Sequence, residues 1–333
     1  MKIPWAEHER DWIADRTSQL VRSLIRDAWP LGIRVSHGPG GETVIDCGLN
    51  AAGTWETGRR IVEIAHGGLA SATLGVASVC DMALPSITVE SWRPAHSAFR
   101  LQVSLPLDEI DPAIRVSGPI LARLRMRSEP DPPAGESRAD AWGVAVVETD
   151  RWDESIAVAL AQRADLPRSD LTLLLVPGHS VAGSTQIAGR INECVVFTLE
   201  ESLAVDATSV VHMIGDVPVA PPALPSADVL PDDLIHYAGR AVLTMDAERE
   251  DLSSLAKALT FASTPHYGKR FSELLNAAGG VFEAIPGLID LNKIAQVSLL
   301  DVRTGATFSA GARDETLLRE WLRASRCERE VGS

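Results

Sequence analysis

The chain has 333 residues, of which 45% are hydrophobic and 23% are charged, the balance of an ordinary globular protein. It carries 31 Lys and Arg against 45 Asp and Glu, so its formal net charge is −14. This acidic balance argues against nucleic acid or an anionic membrane as the main partner, although a local basic pocket could still hold a small anion. The length is sufficient for one large domain or two smaller ones.

Cysteine usage and the N-terminal segment indicate where the protein works. The cysteines are too widely spaced for a zinc or iron–sulfur motif, and we expect free thiols in a reducing cytosol; they are Cys47, Cys80, Cys194 and Cys327. The start, MKIPWAEHER, is too polar for a signal peptide. No apolar run approaches the roughly 20 residues of a membrane-spanning helix. We therefore expect a soluble, cytoplasmic protein.

In chain order, the first predicted element is a long helix. Apolar residues recur at helical spacing over residues 5–28, which predicts one amphipathic helix. Residues 43–47 form a short predicted strand that leads into a Gly/Asn loop over residues 48–53. A second helix is predicted over residues 55–65. Gly67 and Gly68 end it, because glycine accepts the left-handed conformation that terminates helices.

The middle of the chain suggests paired strands and then a linker. Residues 83–105 contain two alternating stretches, ITVESW and FRLQVSL, whose period of two predicts a strand pair. The composition changes to EPDPPAGESRAD between residues 128 and 140, which is typical of a linker or surface loop. We therefore place an N-terminal α/β domain at residues 1–127 and a C-terminal α/β domain at residues 141–333.

Beyond this linker, strands and helices alternate. Strands are predicted at residues 143–147 and 171–176, and helices at residues 154–164 and 185–203. This order is typical of βαβ units, so we expect an α/β sheet. A second Pro-rich loop, VPVAPPALPS, is expected over residues 217–226.

The clearest chemical signature lies in the stretch VPGHSVAGSTQIAGRINE, residues 176–193. A buried strand runs through a Gly/Ser loop into a helix that carries Arg190 and Glu193 three positions apart, hence on one helix face. Such a pair can hold an anion or a water molecule. A solvent-exposed ion pair is the ordinary interpretation. The mostly apolar neighbours favour the alternative, a buried pair, and buried charges require a reason.

Other polar positions have two interpretations each. The loop over residues 178–184 could cradle an anion at a helix N-terminus, or could simply close a strand–helix connection; it is not a nucleotide P-loop. Asn50, Glu56 and Arg59 surround a Gly-rich turn, where capping by Thr54 would account for the same pattern. Glu148 ends an apolar strand, where open α/β sheets carry ligands, or it is an exposed strand-end carboxylate.

Metal and serine-hydrolase chemistry are weakly supported. His96, His179 and His266 lack the spacing of metal ligands, and no G-x-S-x-G elbow is present.

Three motifs, TVIDCGLNAAGTWETG, GSTQIAGRINE and STPHYGKRF, together resemble those of methenyltetrahydromethanopterin cyclohydrolase. The similarity runs from about residue 20 to the segment LDVRTGATFSAG near the C-terminus. The resemblance implies an α/β, two-domain methenyltetrahydromethanopterin cyclohydrolase-like fold with an interdomain pocket. It also implies a homotrimer, and neither a metal nor a nucleotide cofactor.

The family's reaction is the reversible hydrolysis of the methenyl cation of tetrahydromethanopterin to the formyl compound. Water must be directed onto an electrophilic carbon, and a carboxylate must collect its proton. The resemblance places the water-positioning Arg at Arg190 and the acid/base at Glu193, with Glu148 as a supporting carboxylate and His96 at a lysine position. It implies substrate binding by Asn50, Glu56, Ser117, Gly118, Ser184, Gln186, Tyr267 and Lys269.

The sequence also departs from the family's pattern. Q-K-A-G-W becomes AHSAF, so His96 replaces a lysine with a weaker standing cation. G-S-G-P-A-R-A-L becomes VSGPILAR, and C-L-G-G-L-G-H becomes AHGGLAS. The leading hypothesis is therefore a cyclohydrolase with a small-molecule pterin substrate and no nucleic acid or membrane partner. The alternatives are a catalytically altered paralogue that binds a reduced pterin or serves in pterin cofactor assembly, and a structural subunit that uses the family's trimer surface.

Overall fold

The computed structural model describes residues 7–126, 142–221, 229–248 and 251–322. The chain divides into two compact units, the first comprising Met1–Ser71 and His96–Gln186 and the second Ala72–Ala95 and Ile187–Ser333. Each unit is built on a six-stranded sheet. The α/β class is thereby confirmed.

The described elements are the following. The helices are α1 (Glu7–Arg26), α2 (Trp55–Ala65), α3 (Leu121–Met126), α4 (Glu154–Ala164), α5 (Val181–Ala188), α6 (Ile191–Phe197), α7 (Pro231–Ala238), α8 (Leu252–Ala258) and α9 (Phe271–Ala277). The strands are β1 (Arg34–His37), β2 (Thr43–Asp46), β3 (Ala70–Val79), β4 (Met82–Trp92), β5 (Leu105–Leu107), β6 (Asp111–Ser117), β7 (Val144–Glu148), β8 (Thr172–Val176), β9 (Val210–Pro218), β10 (Arg240–Met245), β11 (Gln296–Asp301) and β12 (Thr307–Gly311).

The sheet of the first unit has the order β1-β2-β8-β7-β6-β5. Its central strands β2, β8 and β7 are parallel, and the flanking strands are antiparallel. Helix α4 packs on one face with Val147, Leu173 and Leu175, whereas α1 and α2 pack on the other with Val146 and Leu174. Because these three strands are parallel, their carboxyl ends lie at one edge of the sheet, and in open α/β sheets with helices on both faces ligands bind at such an edge.

Local signals predicted several elements of the first unit. Helices α2 and α4 have the predicted bounds. Thr54 caps α2 through a capping box with Thr57, and Gly67 and Gly68 follow the helix with φ of +60° and +75°. The second predicted strand of the 83–105 region is wrong, because a π-helix occupies Ala95–Gln102. Its buried hydrophobic residues, Ala95, Ala98 and Leu101, recur every three positions, a period that the alternating letters FRLQV concealed.

The sheet of the second unit has the order β12-β11-β10-β9-β4-β3. Strands β10 and β11 are parallel, and β9 pairs antiparallel with both β4 and β10. Along β9 and β10 buried residues alternate with exposed ones, as in a sheet covered on one face. At Gly215 a side-chain Cβ would lie 2.4 Å from both Ile191 and Asn192, so this glycine lets α6 approach the covered face.

The predicted domain boundary does not separate the two units. Strands β7 and β8, beyond the predicted linker, share a sheet with β2 and β6, which precede it. Both units are discontinuous because strand pairing across long sequence separations, rather than a change in composition, defines them. The linker itself, residues 128–140, lies outside the described residues.

Two further expectations concern cysteines and membrane spans. Cys47, Cys80 and Cys194 are buried free thiols, as predicted, and Cys327 lies outside the described residues. In the described part of the chain, no helix has the length and apolar character needed to cross a membrane.

Candidate active site

Arg190 and Glu193 form a buried bidentate ion pair. Arg190 Nε lies 2.6 Å from Glu193 Oε2, and Nη2 lies 3.0 Å from Oε1. The two side chains are only 14% and 5% exposed. The pair is thus an ion pair but not a solvent-exposed one, and an ion pair withdrawn from water is costly unless its geometry is good. Two parallel N–H···O bonds provide that geometry.

The pair lies at a break between two helices rather than within the single helix predicted over residues 185–203. Helix α5 ends at Ala188, and Arg190 is the N-cap residue of α6, with its carbonyl accepting the Cys194 N–H at 3.0 Å. A further π-helix covers Thr198–Ser202. The prediction of one continuous helix is wrong because spacing alone does not reveal a turn at Gly189. Arg190 and Glu193 nevertheless share the first turn of α6.

Asn192 anchors this turn to the sheet of the second unit. Its Nδ2 donates to the Val89 carbonyl at 3.0 Å and to Ser91 Oγ at 2.7 Å, both on β4. Asn192 is fully buried, and in the sequence it lies between Arg190 and Glu193. Sequence reasoning missed this residue, although a polar amide in an otherwise apolar helix could have identified it. The anchor fixes the position of the helix turn that carries Glu193.

Glu148 lies at the carboxyl end of β7, as predicted. Gln186, on α5 of the same unit, donates from Nε2 to Glu148 Oε1 at 2.7 Å. The structure therefore brings together a predicted supporting carboxylate and a predicted substrate-binding amide. Their mutual bond makes Gln186 an orienting partner of Glu148.

Close packing of α5 on α2 places Gln186. A Cβ at Gly58 would lie 2.4 Å from Thr185 Cβ and 2.5 Å from the Ala182 carbonyl oxygen. Both contacts are shorter than van der Waals distance, so only glycine allows this approach. Gly58 is a second position that sequence reasoning missed. Gly58 lies inside helix α2, where glycine destabilises a helix. A glycine at such a position is the sequence signal that could have identified the close approach.

The loop before α5 is closed on itself. Ser180 Oγ donates to the Pro177 carbonyl at 2.8 Å and accepts the Gly183 N–H at 3.0 Å. A Cβ at Gly183 would meet the Pro177 carbonyl oxygen at 1.8 Å. These contacts support the interpretation that the loop closes a strand–helix connection. Ser184 is 1% exposed, and its hydroxyl has no hydrogen-bond partner among the described residues.

The loop after β2 carries Asn50 as an exposed residue. The Asp46 carboxylate accepts backbone N–H bonds from residues of this loop, at 2.8 Å in the case of Asn50. Asp46 was not predicted as a site residue. The repeated turn signals of CGLNAAG indicate a loop but not the carboxylate that orders it.

Glu56 belongs to a network of ion pairs on helices α1 and α2. Its carboxylate accepts from Arg59 at 2.6 Å and from Arg60 at 2.8 Å, and Arg60 also contacts Asp27. The Arg59 guanidinium, together with Arg60, holds the pKa of Glu56 below its ordinary value. Substrate binding by Glu56 stays a prediction, and the network gives the residue a structural role.

His96 and the Ser117–Gly118 loop share one neighbourhood in the first unit. His96 lies in the π-helix Ala95–Gln102, and the Gly118 N–H donates to the carbonyl of Leu101 in that helix at 2.7 Å. Ser117 pairs with Val146 of β7, two residues before Glu148, which is about 7 Å along the strand. Gly118 has φ of +98°, which favours glycine at this position.

Tyr267 and Lys269 lie on an exposed loop of the second unit. The Tyr267 hydroxyl donates to Asp314 Oδ2 at 2.5 Å, and burial raises the pKa of Tyr267 to about 12. The Tyr237 hydroxyl donates to the Lys269 carbonyl at 2.7 Å and accepts the Gly268 N–H at 3.0 Å. Helix α7 thus holds the STPHYGKRF segment in place through Tyr237, a residue that sequence reasoning missed.

Asp233, also on α7, clamps the end of the same segment. Its two carboxylate oxygens accept the Phe271 N–H at 2.7 Å and the Leu230 N–H at 2.8 Å. Burial raises the pKa of Asp233 to about 7.

Among the residues that the structure describes, no group of three or more His, Cys, Asp or Glu side chains could hold a metal ion. Metal-free chemistry stays a prediction.

Comparison with known proteins assigns the family. A family model described as Cyclohydrolase (MCH) matches residues 13–322. A methenyltetrahydromethanopterin cyclohydrolase of Methylobacterium organophilum is 30% identical over 306 residues, which cover 90% of this chain and 94% of that protein. Proteins of the same name from Methanococcus aeolicus and Methanothermobacter thermautotrophicus are each 29% identical over 310 residues. These alignments cover 91% and 90% of this chain, and 95% of each relative. The chain therefore belongs to the methenyltetrahydromethanopterin cyclohydrolase family.

Proposed function

We propose that this chain catalyses the reversible hydrolysis of the cyclic methenyl group of a tetrahydromethanopterin-type one-carbon carrier to the formyl form. The observation that carries the proposal is the buried bidentate pair of Arg190 and Glu193 within a motif that resembles the family's water-handling site. The relatives from Methylobacterium organophilum and Methanococcus aeolicus are named for this reaction.

In the proposed mechanism, water adds to the methenyl carbon, which is bonded to two nitrogens and carries the positive charge of the substrate. Glu193 accepts a proton as the carbon–oxygen bond forms. One carbon–nitrogen bond then breaks, the leaving nitrogen is protonated, and the carbon remains on the other nitrogen as a formyl group. Hydrolysis of the cation by one water releases one proton overall.

The Arg190 guanidinium suits the task of fixing both the base and the water. Its two bonds to Glu193 hold the carboxylate in one orientation. Each carboxylate oxygen has two lone pairs, so an oxygen that accepts from arginine can also accept a water proton. We assign Arg190 the positioning of water and Glu193 the transfer of its proton.

Glu148 and His96 contribute charge in this proposal. A carboxylate near the positively charged substrate stabilises it electrostatically, and the 2.7 Å bond from Gln186 orients Glu148 for that role. His96 stands where the family has a lysine and supplies a cation only when it is protonated. Asn50, Ser117, Gly118, Ser184, Tyr267 and Lys269 are proposed to bind substrate, and Glu56 has the weakest support because Arg59 and Arg60 already hold its carboxylate.

Absorbance measurements test the proposal. Purified protein is mixed with the methenyl pterin at neutral pH, and the decay of methenyl absorbance is followed against buffer. The proposal predicts a rate well above the uncatalysed rate. Folded protein that gives no acceleration would overturn it.

A second candidate function is a catalytically altered paralogue that binds a reduced pterin or serves in cofactor assembly. The observation that favours it is the replacement of the family's lysine by His96 and the rewritten VSGPILAR loop. Calorimetry distinguishes the two functions, since the paralogue binds reduced pterin without turnover.

For either function we propose a homo-oligomer, a trimer by resemblance to the family. Light scattering on the purified chain measures this oligomeric state.

A further inference from the structure

One carboxylate accepts hydrogen bonds from several backbone N–H groups of the loop that follows β2. Asp46 Oδ1 accepts the N–H groups of Gly48 at 3.0 Å and Leu49 at 2.7 Å. Its Oδ2 accepts those of Asn50 at 2.8 Å and Ala51 at 3.0 Å. Four consecutive N–H groups therefore converge on a single side chain. Hydrogen bonds to an ionised acceptor are stronger than neutral ones, so this carboxylate selects one loop conformation.

Asp46 stands at the sheet edge of the first unit where the carboxyl ends of the parallel strands lie. In the sheet register it pairs with Leu175 of β8, and on the other side of β8 Glu148 pairs with Val176. Asp46 and Glu148 thus end the two strands that flank β8. With neighbouring strands about 4.8 Å apart, their backbones are separated by about 10 Å.

Other contacts hold the two ends of this loop without Asp46. At the start, the Cys47 N–H donates to the Leu175 carbonyl at 2.9 Å, and at the end the Gly53 N–H donates to the Gly32 carbonyl at 3.0 Å. The four bonds of Asp46 act instead on the loop tip, where Asn50 is exposed. The ends therefore define where the loop runs, and Asp46 defines the conformation of its tip.

We propose that Asp46 is a positioning residue for the cyclohydrolase reaction, which holds Asn50 ready to contact the substrate. The proposal rests on the proposed function. An exposed loop tip loses conformational freedom when it binds a ligand, and that loss weakens binding. A carboxylate that already orders four consecutive amides removes most of this loss before the substrate arrives. Asp46 acts through Asn50 and does not touch the reacting atoms.

The test is a double-mutant cycle between Asp46→Asn and Asn50→Ala. Asparagine at position 46 keeps an oxygen acceptor for one pair of amides, but its Nδ2 cannot accept from the other pair. We expect KM for the methenyl pterin to rise about tenfold, equivalent to about 1.4 kcal/mol, with a smaller change in kcat. Asn50→Ala should raise KM in the wild-type background and change it less than about twofold when Asp46→Asn is already present.

Asp301→Asn is the matched control. Asp301, the last residue of β11, accepts from the Arg303 N–H at 2.9 Å and the Thr304 hydroxyl at 2.6 Å in the following turn, and this turn carries no predicted site residue. Asp301→Asn should lower the free energy of unfolding, because it also removes a carboxylate that accepts hydrogen bonds, but it should leave KM unchanged. Amide hydrogen exchange should show faster exchange at residues 48–51 in Asp46→Asn alone. Asp46→Ser, with one short acceptor, serves if Asp46→Asn does not fold.

Three outcomes would overturn the proposal. They are an unchanged KM in Asp46→Asn, additive effects of the two substitutions, and an equal rise in KM in Asp301→Asn. If the wild-type protein gives no turnover, the proposed function has failed, and calorimetric binding of the methenyl pterin replaces KM in the same cycle. Equal binding by wild type and Asp46→Asn then refutes the role of Asp46 separately.

Discussion

Gly58→Ala is the perturbation whose consequences follow most directly from the packing of the first unit. The added methyl group would lie 2.4 Å from Thr185 Cβ and 2.5 Å from the Ala182 carbonyl oxygen, whereas ordinary contacts begin at 3.4 Å. Relief requires α5 to move away from α2 by about 1 Å. The bond between Gln186 and Glu148, now 2.7 Å, would then open to as much as about 3.7 Å, beyond hydrogen-bond length.

Two opposing contributions determine the stability of this variant. Overpacking of a tight contact costs about 1–3 kcal/mol. Alanine in a helix interior recovers up to about 1 kcal/mol relative to glycine. With about 1 kcal/mol recovered, we expect a net loss of about 0–2 kcal/mol in the free energy of unfolding. Displacement of Glu148 and its partner should lower kcat/KM about 10- to 100-fold, because misplacement by about 1 Å costs this much in a preorganised site.

Urea unfolding and the methenyl absorbance assay measure the two effects. Gly279→Ala is the matched control, because its Cβ would meet open space and only its left-handed φ of +69° makes alanine unfavourable. It should cost about 1 kcal/mol of stability and leave kcat/KM unchanged. Full activity in Gly58→Ala would contradict this prediction, and so would losses of activity in both variants in proportion to their losses of stability.

Three further predictions concern other contacts. His96→Lys restores a permanent cation and should raise kcat at pH 7.5 several-fold; an unchanged rate in the absorbance assay would show that the site is tuned for another ligand. Burial lowers the pKa of His236 to about 4 from an ordinary 6.5, while its Nε2 donates to the Leu291 carbonyl at 2.8 Å. Between those pH values the unfolded chain binds more protons, so stability should fall by up to about 3 kcal/mol as the pH drops through this window. In urea unfolding, the free energy of unfolding of His236→Phe should fall less than that of wild type as the pH drops through this window. An equal fall in both proteins would contradict this. Asn192→Ala leaves the Ser91 hydroxyl without its buried donor and should cost about 1–3 kcal/mol with reduced kcat; unaltered kcat would separate the anchor from catalysis.

Features encoded by neighbouring residues could be predicted from the sequence. Helix α2 begins where Thr54 caps it and ends at consecutive glycines, and α4 begins after Asp153, whose side chain accepts the Ser155 N–H. Strands β7 and β8 are apolar runs bounded by turn residues. Each of these signals acts over a few residues, so the bounds of the elements followed from local chemistry.

Features that depend on distant contacts could not be predicted in the same way. The break at Gly189 has the glycine itself as its only local signal, and the alternating letters of the π-helix Ala95–Gln102 indicate a strand. The bond between Gln186 and Glu148 joins residues 38 positions apart, and Asn192 reaches back 103 positions to Val89. Such contacts are set by sheet order, which composition does not specify.

In the candidate site, too, some features could be predicted from neighbouring residues and others depend on distant contacts. Helical spacing identified Arg190 and Glu193 as a pair and the resemblance of motifs suggested their roles, but only the structure shows that their side chains are buried and bonded through two parallel contacts. The residues that support the site, Asp46, Gly58 and Asn192, were missed because their roles lie in backbone bonds and close approaches.

In the proposed mechanism, Glu193 takes the proton of the attacking water. The most direct test of this step compares wild type with Glu193→Gln in a single-turnover measurement of methenyl absorbance. Glutamine keeps the size of the side chain but is a far weaker base, so the rate should fall about 10²- to 10⁴-fold. Calorimetry should show that the variant still binds the methenyl pterin.

Glu42→Gln provides the control for loss of a buried ion pair. Glu42 is fully buried and contacts Arg168, whose Nε lies 3.2 Å from its Oε2, at the amino end of β2. It should lose stability while its single-turnover rate stays unchanged. We expect a large rate loss that is confined to Glu193→Gln. A Glu193→Gln rate equal to that of wild type, with folded protein and bound substrate, would contradict the proposed mechanism.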